Sequence, residues 1–140
     1  MAVTVHGYID GASRGNPGES GIGIILKDER GGLLHAEGGY LGHGTNNGAE
    51  YAAFLRCLKK AKEFRCQKLV VHSDSELLVK QFNGVYKVKS QRLKREIQRI
   101  KKLMKSVPFG VELNYIPREK NLDADRIANA AIDHRLKIKI

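Results

Sequence analysis

Val3, Val5 and Ile9 alternate with Thr4, His6, Tyr8 and Asp10 at the start of the chain. A period of two puts alternate side chains on opposite faces of an extended segment. Ala2 to Asp10 therefore reads as a half-buried strand ending in an acid on its more polar face. Gly11, Gly15 and Gly18, with Asn16-Pro17 between them, predict a tight turn straight after Asp10. Ile22, Ile24 and Leu26 repeat the alternation, Asp28-Glu29-Arg30-Gly31-Gly32 predicts a hairpin turn, and a third strand follows over about Leu33 to Tyr40. Short connections make these three strands an antiparallel meander.

The period then changes. Leu41 to Gly48 is expected as a loop, with Asn47 as the N-cap of a helix and Glu50 completing a capping box. Tyr51, Leu55 and Leu58 form the helical stripe, flanked by Phe54 and Ala61. Lys68-Leu69-Val70-Val71-His72 is the short apolar run of a central parallel strand, ending at Ser73-Asp74-Ser75. A short helix, about Ser75 to Phe82, stops at Asn83-Gly84. Lys87 to Lys105 holds nine Lys or Arg residues and one acid, Glu96. Leu93, Ile97, Ile100, Leu103 and Met104 recur there at helical spacing, so this is an amphipathic helix with a strongly basic outer face. Pro108 and Gly110 end it. Val111 to Ile116 alternates as a fifth strand, Pro117 to Lys120 is a loop, and Asn121 is expected to cap a last helix with Ala128, Ala131 and Ile132 inward. The order βββαβααβα supplies helical crossovers between parallel strands 1, 4 and 5. The fold class expected is α/β: a five-stranded mixed sheet, antiparallel over strands 1 to 3 and parallel over strands 1, 4 and 5, with helices on both faces.

One hundred and forty residues suit one domain, 1–140. The 25 Lys and Arg against 15 Asp and Glu leave a net charge of +10. That excess favours an anionic partner, nucleic acid ahead of an acidic membrane surface. No apolar run approaches the roughly 20 residues of a membrane span. The chain enters the strand pattern at once, so no signal peptide is expected. Cys57 and Cys66 form neither a disulfide framework nor a metal-ligand spacing. A reduced, cytoplasmic, monomeric protein is the expectation.

Asp10, Glu50, Asp74 and Asp125 fall at matching places in this scheme. Two lie at strands and two in the opening of helices. Functional groups of open α/β sheets gather at the carboxyl ends of parallel strands. Glu50 shares a helical face with Phe54 and Cys57, and Asp125 with Ala128 and Ile132, so both look inward. Singly, each has an ordinary explanation as a turn, cap or dipole residue. Together, four acids in one crevice repel one another unless a cation compensates. Hard oxygen ligands select Mg²⁺, with Mn²⁺ as a substitute, and two such ions can cleave a phosphodiester.

At this point the chain resembles the ribonuclease H type 1 family over nearly its whole length. The motifs stand here as "YIDGASRGNPG", "TNNGAEYAAF", "HSDSELLV" and "NLDADRIANAA". The resemblance implies that Asp10, Glu50, Asp74 and Asp125 are catalytic metal ligands. It implies cleavage of the RNA strand of an RNA–DNA hybrid with two ions, leaving 5′-phosphate and 3′-hydroxyl ends. It also implies contacts to the nucleic acid from the turn bearing Gly11, Ser13, Arg14 and Asn16 and from Thr45, Asn46 and Asn47. Asparagine amides suit the minor groove, where the 2′-hydroxyls lie. Lys94, Arg95, Lys101 and Lys102, on the basic helix, are candidate phosphate contacts.

The chain departs from the family pattern in three places. Glu76 stands where many relatives have Gln, and a carboxylate cannot donate to a base edge. The loop before the last helix, Ile116-Pro117-Arg118-Glu119-Lys120, lacks the histidine many relatives carry there, leaving Arg118 or Glu119 to assist. The interval from Asn83 to Arg92 is too short for a basic handle insertion, and no hybrid-binding domain is expected before Val3. His72 is expected to pack or hydrogen bond rather than bind zinc. Activity on double-stranded RNA is left open. The rival functions are a DNA-directed nuclease and a non-catalytic nucleic-acid-binding module on the same fold.

Overall fold

The computed structural model describes residues 3–136. Its elements are β1 (Thr4–Gly15), β2 (Gly18–Lys27), β3 (Leu33–Gly44), α1 (Asn46–Ala61), β4 (Lys68–Ser73), α2 (Glu76–Phe82), α3 (Gln91–Ser106), β5 (Gly110–Tyr115) and α4 (Leu122–Asp133), with a 3₁₀ turn at Arg118–Lys120. The order is the expected one. Ala2, which the alternation placed in the first strand, lies outside the described residues.

One sheet runs β3-β2-β1-β4-β5. β1 pairs antiparallel with β2 and β2 with β3, whereas β1 pairs parallel with β4 and β4 with β5. The parallel crossovers are helical, as the parallel pairing demands. α1 covers one face, where Ile9, Ile22, Ile24 and Leu26 join Phe54, Cys57 and Leu58 in the buried core. α4 lies against the opposite face of β2 and β3, over Gly21, Gly23 and Gly38. α3 packs Ile100 and the flanks of Leu93, Ile97, Leu103 and Met104 onto the α1 side of the core.

Two strands are longer than the sequence suggested. The expected turn after Asp10 is instead the continuation of β1, which stays paired from Gly11↔Ile22 to Gly15↔Gly18. Only Asn16-Pro17, joined by a cis peptide, remains as the turn. Likewise β3 runs on to Gly44, so the loop expected over 41–48 shrinks to Thr45. The physical reason is the second meaning of glycine. A Cβ on Gly11 would lie 2.4 Å from the Ala49 carbonyl carbon and the Glu50 nitrogen, and one on Gly23 would lie 2.1 Å from the Ala124 carbonyl oxygen. These glycines let helices press onto the strands rather than turn the chain.

Three helix starts also differ. Thr45, not Asn47, caps α1: its hydroxyl accepts from the Gly48 N–H at 3.0 Å. Glu50 is consequently past the first turn of α1, and its buried carboxylate completes no capping box. Lys87 and Lys89 precede α3, which starts after Ser90, whose hydroxyl accepts from Leu93 N–H. Asn121 occupies the cap position of α4, but its side chain makes no capping bond. Both cysteines are free, and burial pushes the Cys57 thiol up to about 12.

Candidate active site

Asp10 lies midway along the central strand β1, just past the end of its parallel pairing with β4, and Asp74 directly follows β4 at that same end. Glu50 reaches the same end of the sheet from α1, because Gly11 admits the α1 backbone against β1. One oxygen from each of Asp10, Glu50 and Asp74 lies within 4.8 Å of the others. Among the described residues no other group of acids, histidines or cysteines gathers in this way. Asp125 enters from the first turn of α4. It stands outside that tight trio yet lines the same cleft, of about 480 Å³, with Asp10, Glu50 and Asp74.

Asp10 is the hub. Burial first, then Glu50, Asp125 and Asp74, raise its carboxyl to about 10. Glu50 is raised to about 8, by burial and then by Asp74, while the Gly11 backbone amide pulls the other way. Asp74 is raised by burial more than the nearby Arg118 guanidinium lowers it. The Glu50 Oε2 is buried without a hydrogen-bond partner. Hard donors that resist ionisation alone, one of them unsatisfied, fit a divalent cation.

Stability should depend on pH accordingly. The folded, metal-free protein holds protons on Glu50 and Asp10 that the unfolded chain releases above pH of about 4. Its stability should therefore fall as pH rises toward 8. We expect Tm in EDTA to drop by about 5 °C or more between pH 5 and 8, with the drop reduced in Mg²⁺ and in Glu50→Gln. A Tm in EDTA that climbs over this range would contradict the crowding.

The remaining candidates divide. Gly11, Ser13, Asn46 and Asn47 line the cleft. Asn16 sits at its border, its Oδ1 accepting from the Asn46 N–H at 3.1 Å. Asn47 donates its amide to Gln81 Oε1 at 3.0 Å, and its own Oδ1 has no partner. Thr45 is engaged as the α1 cap. Arg14 is ion-paired to Asp133 and turned toward Asn129, outside the lining of the cleft. Lys94, Arg95, Lys101 and Lys102 are exposed on α3 and outside the lining of the cleft, with Lys101 over the Phe82 ring. Glu76 pairs with Lys80 at 2.6 Å. His72 hydrogen bonds with His6 at 2.9 Å and stacks on Tyr8.

Sequence reasoning missed four contributors. Ser75, Leu77 and Asn129 line the cleft, and Asn121 donates to the Ile9 carbonyl at 2.8 Å, tying α4 to β1 beside Asp10. The spacing of Asn129, four residues beyond Asp125, was the available signal. Of the two loop residues weighed as helpers, Arg118 lines the cleft and Glu119 does not.

A family model described as reverse transcriptase-like matches residues 8–131. Ribonuclease HI of Halobacterium salinarum is 36% identical over 129 residues; the match covers 92% of this chain but 64% of that protein, so this chain spans under two thirds of its length. Ribonuclease H of Coxiella burnetii is 33% identical, with 95% and 92% of the two chains covered. The crystal structure of LC11-RNase H1 in complex with an RNA/DNA hybrid is similar at 41% identity and a TM-score of 0.89, over 94% of this chain and 98% of that one. The halobacterial RNase H1 structure is similar at a TM-score of 0.87, over 94% and 98%. Agreement this long, in both sequence and fold, places the chain: it belongs to the ribonuclease H family.

Proposed function

We propose that the protein is an endoribonuclease that hydrolyses the RNA strand of RNA–DNA hybrids, using Mg²⁺ and leaving 5′-phosphate and 3′-hydroxyl ends. One observation carries the reading: a trio of carboxylates, two of them buried, gathered from β1, α1 and the end of β4 where the parallel pairing stops, with ligand oxygens within 4.8 Å and Glu50 Oε2 unsatisfied. Asp10, Glu50 and Asp74 would hold one ion, and Asp125 at the rim would support a second. Bound there, the ions supply activation of water and stabilisation of the leaving 3′-oxygen.

The chain's own residues do the rest. Asn46 and Asn47 stand at the α1 N-terminus on the cleft wall, where helix N–H groups favour phosphate. The unpartnered Asn47 Oδ1 is an acceptor of the kind a 2′-hydroxyl needs. Arg118, in the same lining and near Asp74, supplies a positive charge. A guanidinium does not release its proton near neutral pH, so Arg118 binds phosphate rather than relaying protons as a loop histidine would.

RNA–DNA, RNA–RNA and DNA–DNA duplexes assayed side by side with Mg²⁺ test the reading. Mg²⁺-dependent cleavage of the hybrid supports it. Cleavage of DNA alone, or binding without cleavage, would replace it with one of the rival functions.

The exposed face of α3 gives a separate expectation. Neutralising Lys94, Arg95, Lys101 and Lys102 together should raise KM for every duplex and flatten its salt dependence, by up to about one slope unit for each phosphate no longer neutralised, with kcat nearly unchanged. An unaltered salt slope would reduce this face to a solvated surface.

A further inference from the structure

Asp125 is held differently from Asp10 and Glu50. Asp10 and Glu50 are walled in by sheet and helix, but Asp125 is only partly buried and stands on a helix that bridges to the sheet over glycines. Strand geometry does not set its side chain. One turn further on, Asn129 does. Its Nδ2 donates to the Asp125 carbonyl oxygen at 3.0 Å and to Asp125 Oδ1 at 3.3 Å. The Asp125 carboxylate also meets the carboxyl of Asp10. It is thus gripped from both sides.

The amide of Asn129 is itself oriented from a distance. Arg14, near the end of β1, points Nη2 at Asn129 Oδ1 (3.4 Å) and at the Asn129 backbone oxygen (3.3 Å). Its Nη1 is ion-paired with Asp133, also on α4. A guanidinium carries donors only, so it accepts just one orientation of the amide, Oδ1 outward. Nδ2 is then left for Asp125. The opposite orientation would set oxygen against carboxylate and nitrogen against guanidinium.

We propose that Asn129 is a positioning residue for Asp125, and that Arg14 and Asp133 set the orientation of its amide. The proposal rests on the reading of Asp125 as a support for a divalent ion. It assigns Arg14 a role beside, and separable from, any contact with nucleic acid. The outer pair is exposed and contributes little stability on its own; its value is orientation. Groups that orient a metal-supporting side chain typically change metal affinity or rate by 10–100-fold when removed.

The test compares wild type, Asn129→Ala, Asp133→Asn, Asp125→Asn, Asp123→Asn and the Asn129→Ala/Asp125→Asn double variant. Two readouts are taken: hybrid cleavage across a Mg²⁺ series, and thermal shift against Mg²⁺ and Mn²⁺ without substrate. Alanine is the stronger helix former, so α4 is not weakened by the first substitution. Asn129→Ala should lower kcat or raise the Mg²⁺ midpoint about tenfold, with KM for the hybrid nearly unchanged. Asp133→Asn should move the same midpoint less, in the same direction. In the Asp125→Asn background the Asn129 change should shift the metal midpoint no further. Asp123, exposed and paired with Arg126, is the neutral control. An unmoved midpoint and kcat in Asn129→Ala, a loss confined to KM, or shifts that add in the double variant would overturn the proposal. Failure of wild type to cleave the hybrid would instead overturn the functional reading, while the substrate-free midpoints would still judge Asn129.

Discussion

Asp10→Asn should abolish cleavage, with kcat falling by at least about 10³, equivalent to the several kcal/mol a correctly held ion supplies. Hybrid affinity should change little, because Asn keeps the shape and polarity of the cleft wall. The variant should also be more stable than wild type in EDTA. Asp10 touches the fields of all three other acids, and its carboxyl is raised to about 10 by burial and their charges. Asn removes the cost of keeping that carboxyl protonated in the folded state near neutral pH, a gain of about 1 kcal/mol or more, seen as a Tm higher by roughly 4 °C. The paired outcome is diagnostic. A residue needed only for folding would lose activity and stability together, and wild-type rates from Asp10→Asn would remove it from the site.

Gly11→Ala should lower activity by an entirely steric route. The added methyl would lie 2.4 Å from the Ala49 carbonyl carbon and the Glu50 nitrogen, and 2.7 Å from the Ala49 carbonyl oxygen. These are backbone atoms, so no rotamer change relieves the clash. Either β1 or the start of α1 must move, and Glu50 moves with it. Overpacking of this kind costs about 1–3 kcal/mol, and a displacement of about 1 Å at the site costs about 100-fold in rate. Urea denaturation and kcat measured on the same preparation check both parts. Gly31→Ala is the comparison for a glycine whose added methyl meets nothing; it bears a positive φ of 82° and so reports backbone strain alone. If Gly11→Ala were no worse than Gly31→Ala, the close approach of α1 would not govern Glu50.

Where local chemistry and tertiary placement agree, the sequence was readable. The alternation of Val5 and Ile9, the stripe of Tyr51, Leu55 and Leu58, and the apolar edge of α3 each report burial directly, and all are buried or packed on the core. The positions of Asp10, Glu50, Asp74 and Asp125 followed from the order of the elements, because parallel strands bring their carboxyl ends together. Glycine was ambiguous: Gly11 and Gly15 looked like a turn, yet they continue β1, and only the helix above Gly11 explains its presence. Asn47 and Glu50 mimicked a cap that Thr45 provides. The tie of Asn121 and the outer contact of Asn129 were unreadable for another reason. Their partners are remote, Ile9 lying 112 residues from Asn121 and Arg14 lying 115 from Asn129. Nothing near them in the chain signals such pairings, which only the closed sheet creates.

The seat of α4 on Gly21, Gly23 and Gly38 bears on biosynthesis. Three of the four acids are already in place when β4 has joined β1, by residue 74. The fourth, and the Asn121 tie to β1, come with α4 alone. Until that helix emerges from the ribosome, the glycine track on β2 and β3 is bare, and Asp10 lacks the neighbour that completes its surroundings. A copy terminated before α4 would carry Asp10, Glu50 and Asp74 without Asp125, the acid that completes the lining of the cleft.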